Sequence, residues 1–160
     1  MTYRVFISHS AADRAVVDVL DAHARAVGFE TYLYERETEG GRSVSAKVQE
    51  AIGKCDAIVA LLTEASATSA YVHQEIGYAL GQNKLVLPLV DRGLHTPPVA
   101  MLQGTEYIPL DPASPSEATA QFTQSLHRWR GAKENQQLVM TLVILGLLVL
   151  LIWSQSRYSR

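Results

Sequence analysis

Glu75 sits in Ser69-Ala70-Tyr71-Val72-His73-Gln74-Glu75-Ile76-Gly77-Tyr78-Ala79-Leu80, a stretch with helical apolar spacing. At ~100° per residue, Val72, Ile76, Ala79 and Leu80 share one face of such a helix. Glu75 falls at the edge of that face, one turn after Tyr71 and near Tyr78. A carboxylate between an apolar stripe and two tyrosines is poorly hydrated. Desolvation raises the pKa of a carboxylate and equips it for chemistry. The competing reading is a solvated helix charge, since most helical Glu residues do nothing chemical. The helix alone does not choose between the two.

Other chemistries are weaker or absent. No Gly-x-x-x-x-Gly-Lys-Ser/Thr occurs, which excludes a P-loop, and Gly40-Gly41 is too little for a dinucleotide fingerprint. A receiver-type phosphorylation site needs a carboxylate at the end of the third strand and an acidic pair after the first. Leu62-Thr63-Glu64 and Ser8-His9 stand there. His9, His73 and Cys55 lack metal-ligand spacing on one element, so no metal site is expected. Ser8 or Ser69 could pair with His73 as in a hydrolase, but no nucleophile elbow is present. Cys55, the single cysteine, reads as a small buried hydrophobe before an apolar strand. With 14 basic and 16 acidic residues, the chain lacks the basic excess of a general nucleic-acid binder.

The elements that must position these residues follow from pattern. Tyr3 to Ser8 reads as a strand rich in β-branched and aromatic residues. Ser10 and Asp13 suit a capping box. Val16, Leu20, His23 and Val27 recur at helical spacing, and Gly28 ends that helix. Glu30 to Tyr34 is a second strand, and Glu35 to Arg42 is a polar loop. Ser43 caps a helix carrying Val44, Val48, Ala51, Ile52 and Cys55 on one face. Asp56 to Thr63 is nearly all apolar, as in a parallel strand covered on both faces. After the Glu75 helix, Lys84 to Val90 is a strand whose Pro88 must lie at its end or next to an edge. Glu106 to Leu110 is a short edge strand, and Ser114-x-x-Glu117 opens a helix reaching about Arg130.

Strands alternating with helices predict a flavodoxin-like α/β fold: a five-stranded parallel sheet, order 2-1-3-4-5, with helices on both faces. Ligands bind such sheets beyond the strand C-termini, at the switch between strands one and three. That crevice brings Ser8, His9 and Ser10 beside the Thr63–Ser69 loop and the start of the Glu75 helix. The Glu35–Ser43 loop can close over it.

The C-terminus differs. Leu138 to Trp153 contains no charge and one hydroxyl. At 1.5 Å per residue it spans roughly 24 Å, and flanking polar residues extend it towards a ~30 Å hydrocarbon core. A transmembrane helix over 138–154 is expected, after a polar linker at 132–137 and before a polar tail at 155–160. His127, Arg128, Arg130 and Lys133 precede the run, while Arg157 and Arg160 follow it. That balance, with no secretory signal at the N-terminus, puts residues 1–131 on the cytoplasmic side of a single-pass cell-membrane protein.

The motifs together are more specific than their parts. Val5-Phe6-Ile7-Ser8-His9-Ser10, with Asp13 three residues on, resembles the opening of a Toll/interleukin-1 receptor (TIR) domain. So do Gly41-Arg42-Ser43 in the loop after the second strand and Asp56 to Thr63 as the third strand. Ser69-x-Tyr71-x-x-x-Glu75 resembles the family's Ser-x-Trp-x-x-x-Glu helix, with Tyr71 replacing the usual tryptophan. Val86-Leu87-Pro88-Leu89-Val90 resembles its fourth strand, where proline is common. Glu35 stands where the family often has aspartate. The resemblance runs from about Tyr3 to Arg130, and the short form looks prokaryotic.

The resemblance implies an activity. Many TIR domains cleave nicotinamide from NAD, and the family's catalytic glutamate matches Glu75. NAD is then a substrate, and no cofactor is expected. Glu35, Arg42 and Ser43 would belong to the loop over the substrate, Ser8 and His9 would line the crevice floor, and Tyr71 would pack beside Glu75. Such enzymes generally self-associate, and the setting implied is antiviral defence. The alternative is a TIR adaptor without chemistry, acting in signal transduction through TIR–TIR contacts. A nucleoside-processing glycosyltransferase of similar fold is a third reading.

Overall fold

The computed structural model describes residues 2–33, 44–94 and 100–158. Its contacts divide the chain into two units, 1–123 and 124–160. The first unit carries five parallel strands: β1 (Tyr3–Ser8), β2 (Phe29–Leu33), β3 (Ala57–Leu62), β4 (Leu85–Asp91) and β5 (Ile108–Leu110). Their order is β2-β1-β3-β4-β5, as the alternating pattern predicts. The helices are α1 (Arg14–Ala26), α2 (Val44–Lys54), α3 (Glu64–Ala67), α4 (Ala70–Gly81) and α5 (Thr119–Tyr158).

The sheet core follows from two-residue alternation. Phe6 of β1 and Ile58 of β3 pack with Val48, Ala51, Ile52 and Cys55 near α2 and with Ala79 of α4. Ala60 and Leu62 of β3 pack with Val72 and Ile76 of α4. The intervening positions, Val5, Ile7, Val59 and Leu61, are equally buried, and alternation points them at the opposite face. β3 is therefore covered on both sides, as its unbroken apolar run requires.

Pro88 lies inside β4, opposite Ala60. Pairing of β4 with β5 begins one residue later, at Leu89 and Ile108. Pro88 is thus next to the end of the edge strand, where a missing N–H is tolerated. On α4, Val72, Ile76 and Ala79 are buried as their spacing predicts, but Leu80 is 36 % exposed, at the margin of the stripe.

Several local expectations shift. The second strand begins at Phe29, one residue earlier than expected, and Tyr34 lies outside the described residues; β5 spans only Ile108–Leu110. The Thr63–Ser69 loop contains α3. Ser114 makes no capping hydrogen bond. Pro115–Ala118 form a 3-10 turn with proline in its first positions, and Glu117 meets Arg92 at 3.3 Å instead of reaching back. The final helix does not stop near Arg130 but continues through 132–137. Polar residues there are mostly good helix formers, so polarity alone was no reason for a break.

In the second unit, Leu138–Trp153 is solvent-exposed on every side. The helix is long and apolar enough to cross a membrane. The hydroxyl of Thr141, the one polar side chain of the apolar run, donates to the Gln137 carbonyl at 2.9 Å. Its hydrogen-bonding need is therefore met within the helix.

Candidate active site

β1 and β3 are neighbours in space, while the chain leaving β1 crosses to β2 on the outer side. Loops leaving the two strands diverge there and open a crevice at their C-terminal ends. Ser8 is the last residue of β1 and is 1 % exposed. Its hydroxyl donates a hydrogen bond to the Glu75 carboxylate on α4. The bond joins residues 67 apart in sequence and is the central contact of the site.

α4 is set in place at its start. Ser69 has extended backbone geometry, and its hydroxyl accepts the Val72 N–H at 3.4 Å. With Val72, Ile76 and Ala79 packed inward, Glu75 comes to the flank of the helix that faces β1, half-buried. The two tyrosines differ. Tyr78 packs, partly buried, on the Phe6–Ile52–Ile58 cluster. Tyr71, one turn before Glu75, is 54 % exposed. The carboxylate therefore has an apolar neighbourhood on one side and an open aromatic ring towards the helix start.

His9 follows Ser8 and is half-buried. Its Nδ1 lies 3.1 Å from the Ile7 carbonyl, so that nitrogen carries a proton and the ring is held against the strand end. His73 is engaged elsewhere: its Nε2 is 2.8 Å from the Ala67 carbonyl at the end of α3. Since Ser8 donates to Glu75 and Ser69 caps α4, neither serine forms a nucleophile pair with His73. Burial pushes the Cys55 thiol up to about 11, with the Asp56 charge adding to it, so it is no nucleophile at neutral pH. Among the described residues, no group of three His, Cys, Asp or Glu side chains is placed to hold a metal ion. Glu35, Arg42 and Ser43 lie outside the described residues.

The structure adds residues that pattern reading treated only as a cap or a strand end. Asp13 is 8 % exposed and accepts the Thr63 hydroxyl at 2.8 Å. Thr63 and Ser66 form a second capping box around α3. The spacing Thr63-x-x-Ser66 at a strand end was the available signal.

Chemically, the crevice presents one half-buried carboxylate, oriented by a buried hydroxyl, beside an exposed aromatic ring and a fixed imidazole. Such a group can stabilise developing positive charge and bind vicinal hydroxyls.

Comparison with known proteins agrees with this architecture. The TIR domain of the Toll-related receptor TRR-2 from Hydra magnipapillata aligns with a TM-score of 0.63 and 16% identity, over 79% of this chain and 99% of that one. The Clostridium botulinum CMP N-glycosidase BcmB aligns with a TM-score of 0.61 and 18% identity, over 76% of this chain and 98% of that one. At such identities the likeness is one of fold. No curated protein matches the sequence. A model of the TIR domain family matches residues 5–126, and with the sheet order and crevice described above, this chain belongs to the TIR domain family.

Proposed function

We propose that this TIR domain cleaves the nicotinamide–ribose bond of NAD with Glu75 as the catalytic carboxylate, and that its C-terminal helix tethers it to a membrane. The observation that carries the reading is the hydrogen bond from buried Ser8 to Glu75 at the β1–β3 crevice. A glutamate serving only solubility needs no buried donor to orient it.

The chemistry suits one carboxylate. When the glycosidic bond breaks, its electron pair moves to the pyridinium nitrogen. Nicotinamide then leaves neutral and needs no general acid. Positive charge develops at the ribose anomeric carbon and ring oxygen. Glu75 beside the ribose stabilises that charge and holds the hydroxyls. Water adds at the anomeric carbon and loses a proton to give ADP-ribose, whereas attack by a nucleophile of the substrate itself gives a cyclic product. Tyr71 supplies an aromatic face beside the carboxylate and His9 a fixed polar edge, with Glu35, Arg42 and Ser43 as further substrate-binding residues. Self-association on the membrane completes the working enzyme. The CMP N-glycosidase of similar fold is named for cleavage of the same class of bond in another nucleotide.

The test uses the full chain clustered on lipid vesicles, with NAD and, in parallel, CMP as substrates. Mass spectrometry reads the products. Wild type is expected to release nicotinamide, and Glu75→Gln to lose on the order of 10²-fold or more of that rate. Glutamine keeps an acceptor for Ser8, so folding is preserved. Equal NAD loss from both proteins overturns the catalytic assignment. No NAD loss from clustered wild type turns the reading to an adaptor acting through TIR–TIR contacts, and CMP cleavage alone changes the substrate.

A further inference from the structure

Two capping boxes lie side by side beyond the ends of β1 and β3. In the first, the Ser10 hydroxyl accepts the Ala12 N–H at 3.4 Å and Asp13 Oδ2 accepts the Ser10 N–H at 3.2 Å. In the second, the Ser66 hydroxyl oxygen accepts the Thr63 N–H at 2.7 Å and the Thr63 hydroxyl oxygen accepts the Ser66 N–H at 3.3 Å. Each box is local. The bond between them is not: the Thr63 hydroxyl donates to Asp13 Oδ1 at 2.8 Å, across 50 residues of sequence. The Ser66 hydroxyl continues to the Leu61 carbonyl at 2.6 Å, so the network ends on the backbone of β3.

Burial separates this from ordinary capping. Asp13 is the one buried carboxylate among the described residues, and Thr63 and Ser66 are 4% and 0% exposed. Taking a carboxylate out of water is costly, and a three-residue turn at the surface would not require it. The two oxygens of Asp13 instead serve two different loops, and those loops form the two walls of the crevice. Ser10 is two residues from Ser8, and Thr63 leads through α3 into α4 and Glu75. A closed ring results: Glu75 to Ser8, along the chain to Ser10, through Asp13 to Thr63, and along the chain back to Glu75.

We propose that Asp13 is a positioning residue, acting through Thr63 to hold the loop after β1 at the spacing that lets Ser8 orient Glu75. The proposal rests on the NAD-cleaving reading above. Asp13 acts through its bonds to Ser10 and Thr63, and opening the ring there lets the β1 end drift while the sheet core remains intact.

Thr63→Val removes the bond donated to Asp13 and the one accepted from the Ser66 N–H at nearly constant volume, and Thr63→Ser retains both. Asp13→Asn, which keeps one of the two accepted bonds, is the second variant should valine prevent folding. Each is assayed in the full vesicle-bound chain well below its melting temperature. Thr63→Val is expected to lower kcat about tenfold or more, as misplacement of a catalytic group does. KM stays within about twofold. Amide hydrogen exchange at residues 8–13 is expected to accelerate, and Thr63→Ser restores both readouts. A Thr63→Val protein that melts earlier but keeps wild-type kcat and wild-type exchange at 8–13 overturns the proposal. Should Glu75→Gln itself leave NAD cleavage untouched, the catalytic reading has failed. Exchange then decides the clamp alone, and unchanged exchange refutes it.

Discussion

Replacing Ser8 by alanine removes one oxygen from a side chain that is 1 % exposed and donates to Glu75. A hydrogen bond to a charged group contributes about 1.5–3 kcal/mol. Glu75 is only half-buried, so water recovers part of the lost solvation on its open side. The cost in stability is therefore placed at the low end, about 1.5 kcal/mol. For a domain of this size that lowers the melting midpoint by about 5 °C. The catalytic consequence is separate. A carboxylate that loses this donor is less narrowly oriented, and about 1.4 kcal/mol of lost transition-state stabilisation is tenfold in rate. The expected result is a midpoint about 5 °C lower, kcat about tenfold lower and KM little changed. Thermal unfolding and NAD turnover of the vesicle-bound chain measure both. A wild-type midpoint with wild-type kcat would refute the reasoning, because Ser8 would then not hold Glu75. A lower midpoint with unchanged kcat would leave Ser8 a purely structural residue.

Deleting 138–153 is expected to move the protein from the membrane pellet to the supernatant with its TIR domain folded, and continued pelleting would argue against the tether. The Cys55 thiol is pushed from its ordinary 9.0 to about 11, chiefly by burial, and the Tyr3 phenol to about 12 for the same reason. Both lose protons more readily in the unfolded chain, so their contribution to stability is complete below about pH 9 and is lost as pH rises through the folded values. Denaturation midpoints should fall from about pH 9 upward, and Cys55→Ala should flatten the first part of that decline. An identical alkaline limb in the variant would show that Cys55 takes no part in it.

Much of the architecture was legible because periodicity is a local property. The run Ala57–Leu62 announces a strand buried on both faces, and Val72, Ile76 and Ala79 announce the inner face of α4. From strand alternation the sheet order followed, and from the order the crevice. Boundaries were less legible. Ser114 and Glu117 have the residue types of a capping box, but Pro115 sets a 3-10 turn and Arg92 takes the glutamate. Residues 132–137 read as a linker because they are polar, yet polar helix formers continue a helix as well as apolar ones.

The sequence by itself determined the fold class, the apolar helix and the candidacy of Glu75, since each depends on residue type and short-range spacing. Only tertiary structure decided what Glu75 touches. The Ser8 hydroxyl that donates to it is 67 residues away, and no periodicity can pair residues across that separation. The same holds for Asp13 and Thr63, whose local patterns are complete as caps and whose link appears only when β1 and β3 lie side by side. Tyr71 and Tyr78 each lie about one helical turn from Glu75, but packing of α4 against the α2 side of the sheet partly buries Tyr78 and leaves Tyr71 exposed. Site geometry thus came from contacts made by chain crossing, and these depend on the sheet order as a whole.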